Sequence, residues 1–169
     1  MTARPTVRKL ALTAHVATSV GWLGAVLVVL ALSVVVATGS DRPLVQGSYL
    51  VMERVGWWVL VPLAIASLTS GVVQSLIGPY GLLRHWWVVV KLLLTGIATG
   101  VLLLYTGTLG RLAAASQASG GVLTSVSPLV HTTGAFVVLL GAVVLSVYKP
   151  RGLTRYGWRV QQAARAPQP

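Results

Sequence analysis

The chain contains no cysteine, which excludes disulfides, thiolate metal sites and cysteine nucleophiles at once. Acidic residues are nearly missing as well, since Asp41 and Glu53 are the two in 169 residues. A mechanism that uses one carboxylate as acid and another as base would have to use that pair. Charge of either sign makes up 9% of the chain, whereas a soluble domain carries roughly 25%. A phosphate-cradling glycine loop, a helix with two histidines flanking a glutamate and a serine elbow are all lacking, which argues against ATP hydrolysis and serine hydrolase chemistry. Any hard chemistry would then belong to a bound cofactor.

What is present is apolar: 55% of the residues are hydrophobic, and the mean hydropathy is +0.81. Four segments reach the roughly 20 residues that a membrane-spanning helix needs, at about 10–37, 56–77, 86–109 and 128–148. They are joined by "TGSDRPLVQGSYLVMER", by the short turn "GPYGLLRH" and by "GRLAAASQASGGVLTSVS". Ser127 and Pro128 read as a cap and first-turn proline for the last helix. Short loops between sequential helices predict an all-α, up-down-up-down four-helix transmembrane bundle in one domain, with residues 149–169 as a basic tail. Gly96 and Gly100, and Gly134 and Gly141, are spaced as packing seams between helices.

Of the 13 basic residues behind the net charge of +11, eight sit beside apolar runs at the chain ends. That pattern indicates membrane orientation rather than a nucleic-acid partner. Arg4, Arg8 and Lys9 precede the first helix, Arg84 lies in the second turn, and Lys149, Arg151, Arg155, Arg159 and Arg165 follow the fourth. The positive-inside rule therefore places both termini in the cytoplasm. The first apolar stretch is about twice as long as a signal-peptide core and reads as a retained helix. Trp57, Trp58, Trp86, Trp87, Tyr80, Tyr148 and Trp158 mark the expected interfacial belts.

Ionisable residues inside a membrane are costly, and each is a candidate for function. His15 lies about five residues into the first helix, roughly 8 Å deep. Lys91 lies equally far into the third, which starts from the same side. Trp22 follows His15 by seven residues with Ser19 between them, and Trp87 and Thr95 flank Lys91 at four-residue spacing, so each set shares a helix face. Ser67, Ser70 and Gln74 form a polar stripe on the second helix at the same level. Both carboxylates fall on the outer side, which leaves Lys91 three outcomes: snorkelling to headgroups, losing its proton, or meeting an anion that a ligand brings. His131 begins the fourth helix from the outer side, some 15 Å from His15 in depth. Its expected neighbour is Glu53, and the pair is a weaker candidate for holding a metal. His85, beside Arg84 at the inner interface, reads as an exposed histidine without a function.

Several stretches resemble known membrane families. "KLALTAHVATSVGWLGA" is similar to the first helix of HemJ-type protoporphyrinogen oxidases and of CopD-like copper-resistance proteins. "MERVGWWVLVPLAIASLTSG" and "HWWVVVKLLLT" resemble the second and third HemJ helices, and "LSVYKPRGLTRYGWR" resembles an uncharacterised bacterial integral-membrane family. The resemblance implies a bacterial inner-membrane, haem b-binding, redox-linked bundle. His15 would correspond to the family's histidine and Lys91 to its lysine, with Trp22, Trp87, Glu53 and Arg54 as motif companions. The shared depth of His15 and Lys91 and the lack of a protein counter-ion point to His15 as an axial ligand and Lys91 as the propionate partner. Electron transfer or porphyrin oxidation coupled to a quinone would follow. The chain departs from HemJ in "VLVVLALSVVV", which holds no arginine, and from CopD in having Met1 and Met52 as its two methionines. The rival readings are a non-catalytic accessory or structural subunit of a larger membrane complex, and a small-solute transporter, which four helices would form as a homo-oligomer.

Overall fold

A computed structural model describes residues 4–78, 81–148, 150 and 152–165; Tyr80, Lys149 and Arg151 lie outside them. Helix α1, Pro5–Thr38, starts with a proline in its first turn and ends where Gly39 turns extended. A three-residue link leads to α2, Arg42–Val55, which passes through one π-helical turn, Gly56–Leu60, into α3, Val61–Ile77. Helix α4 runs over Trp86–Ala118, α5 over Ser127–Tyr148 and α6 over Arg155–Arg165. Four helical rods are long and apolar enough to cross a membrane: α1, the continuous Arg42–Ile77 rod, α4 and α5. The chain is thus an all-α, multi-pass membrane protein.

The spans follow one another around a square. The α2–α3 rod packs between α1 and α4, and α5 closes the ring between α4 and α1. The diagonal pair α1 and α4 stay apart in backbone terms. A core of Trp22, Val26, Val29, Val36, Tyr49, Met52, Leu60, Ala64 and Leu109 fills the centre and the half of the bundle where α1 ends.

Two expected boundaries are corrected, and the tail carries a helix. Most of "TGSDRPLVQGSYLVMER", expected as a loop, is helix α2. Its buried residues Val45, Ser48, Tyr49 and Met52 recur at the three- and four-residue spacing of one helical face. Helix α4 runs on through Ala118 instead of stopping near residue 109, because "LAAASQA" is rich in the best helix former and Ala113 and Ser116 bury themselves. These two extensions brace each other. Gln46 donates to the Ser116 carbonyl (2.6 Å), and Arg42 donates to the carbonyls of Ser119 (2.6 Å) and Gly120 (3.2 Å), at the negative end of the α4 dipole. Finally, the tail contains α6. Leu153 pairs with His85 in an isolated bridge, and Thr154 donates its hydroxyl proton to the Leu83 carbonyl (2.5 Å) while accepting from the Gly157 amide (3.0 Å). The helix is thereby capped and tied to the α3–α4 turn.

The π-helical turn has a local cause. Pro62 has no amide proton to give and its ring crowds the preceding turn. One wider turn absorbs the mismatch, and the Val61 amide bonds back to the Gly56 carbonyl five residues earlier. Ser127 is the first residue of α5 rather than its cap, and its hydroxyl pairs with the Tyr105 hydroxyl at 2.9 Å.

Gly96, Gly100, Gly134 and Gly141 do not form seams within the bundle. A β-carbon at any of them meets no atom within 4 Å.

Candidate functional site

The square arrangement leaves space where the diagonal helices part. On α3, Ser67, Gly71 and Ser75 recur every fourth residue, and on α5 Ala142 and Ser146 do the same, so two walls are built from small side chains. Between them lies a cavity of about 470 Å³, within the range of small-molecule sites. It sits in the half where α1 begins and α5 ends. His15, Trp22, Trp87 and Lys91, placed together from sequence as cofactor contacts, all line it. Trp22 is buried at 2% exposure and forms the deep end, where the cavity meets the core. Leu82, Trp87 and Val88 form the opposite end.

His15 is held by α3. Its Nδ1 lies 3.1 Å from the Ser67 carbonyl oxygen and 3.2 Å from the Ser70 hydroxyl. A carbonyl can only accept, so Nδ1 carries the proton and donates it. The lone pair is then on Nε2. Nε2 lies 3.2 Å from Lys91 Nζ, which donates to it. Lys91 does not snorkel; it reaches inward across the diagonal from α4 to α1, although α1 starts at Pro5, five residues before the expected start. The imidazole fits because residue 71 is glycine. A β-carbon there would stand 3.0 Å from His15 Cε1 and 3.4 Å from Nδ1. Ser19 and Ser67 pair their hydroxyls at 2.7 Å beside this slot.

Lys91 Nζ has up to three N–H donors, and one goes to His15. Among the described residues no acid pairs with it. Glu53 stands at the far end of the bundle, 3.7 Å from where a β-carbon on Gly110 would be, roughly 28 Å further along α4 at 1.5 Å per residue. There Glu53, Arg54, Trp57 and Trp58 line a separate shallow groove of about 300 Å³. The two motif companions Glu53 and Arg54 are therefore not part of the cavity.

His131 takes other neighbours than Glu53. It bonds through Nδ1 to the Ser127 carbonyl at 2.9 Å and stacks on Tyr105 with ring centroids 3.9 Å apart. Among the described residues no group of three or more His, Cys, Asp or Glu side chains gathers as a metal cluster. His85 is half-buried rather than exposed, and engaged through its backbone with Leu153.

Sequence reasoning placed His15, Trp22, Trp87, Lys91 and the Ser67, Ser70 and Gln74 stripe in one half of the membrane, and the cavity lining contains all of them except Ser70, which bonds to His15. That reasoning missed that Lys91 and His15 bond directly, that Gly71 is the imidazole slot, and that α5 supplies a wall. The four-residue spacing of Ser67, Gly71 and Ser75 was the available signal. Compared with protein-family models, with curated proteins and with solved structures, the chain shows no match.

Proposed function

We propose that the chain is a haem b-binding, redox-linked membrane protein whose cofactor occupies the cavity between His15 and Lys91. One observation carries the reading: Lys91 places an N–H donor group with spare capacity inside an apolar cavity, with no carboxylate among the described residues to meet it. A buried cationic group needs an anion, and the propionates of a haem are such anions.

The residues fit the group. Metal-bound histidines commonly give their second N–H to a backbone carbonyl, as His15 Nδ1 does to Ser67. This fixes the ring and leaves the Nε2 lone pair for iron. His15 is the one histidine in the lining, which contains no methionine, so it is the candidate axial ligand. Lys91, once it leaves Nε2, would pair with a propionate. Trp22, Trp87 and the aliphatic walls would enclose the macrocycle and exclude water. Bound haem supplies one-electron redox chemistry. The HemJ resemblance of the first three spans supports the same reading, and quinone-coupled electron transfer or porphyrin oxidation would be its outlet. A bacterial inner membrane with both termini in the cytoplasm is the location that the basic flanks favour.

The test is an absorbance spectrum of the protein purified in mild detergent after expression with ample haem, before and after dithionite. A Soret band that shifts on reduction and vanishes in His15→Ala is the expected result. A featureless spectrum from the unsubstituted protein sinks the proposal. One observation favours a second reading, an accessory subunit: Gly96, Gly100, Gly134 and Gly141 face open space and would seat the helices of a partner or a second copy.

A further inference from the structure

The lining of the cavity is unevenly exposed. Leu12, Val16 and Val20 on α1 and Val143 and Val147 on α5 line it while standing 40–71% exposed on the outer surface of the bundle. Every lining residue from α3, α4 and the turn between them is buried or half-buried. The mouth thus lies in the seam between α1 and α5, in the half where α1 begins. Towards the other half this seam is tied, with Thr132 donating to the Ser33 hydroxyl at 3.3 Å. The end nearest water is lined by Leu82, Trp87 and Val88, beside a turn that Thr154 clamps through Leu83.

All five residues at the mouth are aliphatic; Val16, Val20 and Val143 lie within the apolar spans, where lipid hydrocarbon would surround them, and Leu12 and Val147 lie at the edge. A hydrated, polar solute would shed its water to pass them, whereas a membrane-dissolved amphiphile is already in that medium. We propose that the cavity is filled sideways from the bilayer. The ligand is a lipophilic anion carried in the leaflet on the side where α1 begins, and it passes between α1 and α5 with Lys91 as the stop for its anionic groups. This rests on the haem reading, for haem is a flat apolar ring with two carboxylates.

The experiment follows haemin uptake by the cofactor-free full-length chain in nanodiscs, read as the rate of Soret growth. Val20→Trp and Val143→Trp fill the mouth, and Val73→Trp places the same bulk on the exposed face of α3, outside the lining. The mouth variants should load about tenfold more slowly, with the rate of Val73→Trp unchanged. Equal loading rates in all four proteins would overturn the lateral route. If the unsubstituted chain takes up no haemin, it is the haem reading that fails. The route is then decided by Ser75→Cys on the far wall, a unique thiol in a cysteine-free chain. A lipid-soluble maleimide should label it faster than a charged one, and Val20→Trp should slow that labelling. Preferential labelling by the charged reagent, or no effect of Val20→Trp, would overturn the proposal.

Discussion

Single atoms separate the glycines of this chain into two kinds. At Gly71 a methyl would press on the edge of the His15 ring, 3.0 Å from Cε1. The ring would have to tilt, loosening the Ser67 and Lys91 contacts together. If the cavity holds haem as proposed, Gly71→Ala is expected to weaken haemin binding at least about tenfold, the usual cost of disturbing a ligand's support, as read by titration of the Soret band. At Gly96 a methyl meets nothing within 4 Å. Gly96→Ala should raise the thermal midpoint in detergent or leave it unchanged, because alanine is favoured over glycine in a helix by up to ~1 kcal/mol. A drop there would show that a partner helix packs on that face, in favour of the accessory-subunit reading.

Among the elements, α6 depends most on one side chain. Thr154 links three things through its hydroxyl: the first turn of α6 at Gly157, the Leu83 carbonyl and the Arg84 carbonyl. The backbone amide of Thr154 also donates to the Arg84 carbonyl at 2.9 Å. Residue 157 must stay small, since a β-carbon there would overlap Arg84 backbone atoms. Thr154→Ala should cost the docked helix about 1 kcal/mol, the typical value of a lost N-cap. Limited trypsin digestion would read this as faster cleavage at Arg155 and Arg159, with the four spans left intact. Unchanged protection would mean that the backbone bonds alone hold the tail. The α2–α4 brace is built on the same chemistry, with Arg42 and Gln46 supplying the donors that the end of α4 lacks within itself.

For the whole molecule, the contact between His15 and Lys91 spans a diagonal that no backbone approach closes. It is either a strut or part of a binding site, and Lys91→Met separates the two. As a site residue, Lys91 contributes little to the fold. The variant should then melt within ~1 kcal/mol of the parent, the size of one ordinary hydrogen bond, while its affinity for haemin falls about tenfold. As a strut, it would lower the melting point and leave haemin affinity unchanged. His15→Ala, in contrast, should remove the bound spectrum altogether.

The amino-acid sequence by itself determined the four spans, their order and the placing of His15 and Lys91 in the same half of the bundle, because hydrocarbon thickness sets the least apolar length of a span and depth follows from counting residues. It also placed Trp22 and Trp87 on the right faces, since helical periodicity is a local property. It did not reveal α2, whose mixed polarity hides a helical face among far more apolar neighbours, nor the tail's attachment, which depends on Thr154 meeting a turn 71 residues away. Only the tertiary structure decided that Lys91 bonds to His15, that Glu53 and His131 take separate neighbours, and that the cavity opens between α1 and α5. These outcomes depend on how four helices rotate against one another. That rotation is set by side-chain packing over the whole bundle, and no single segment encodes it.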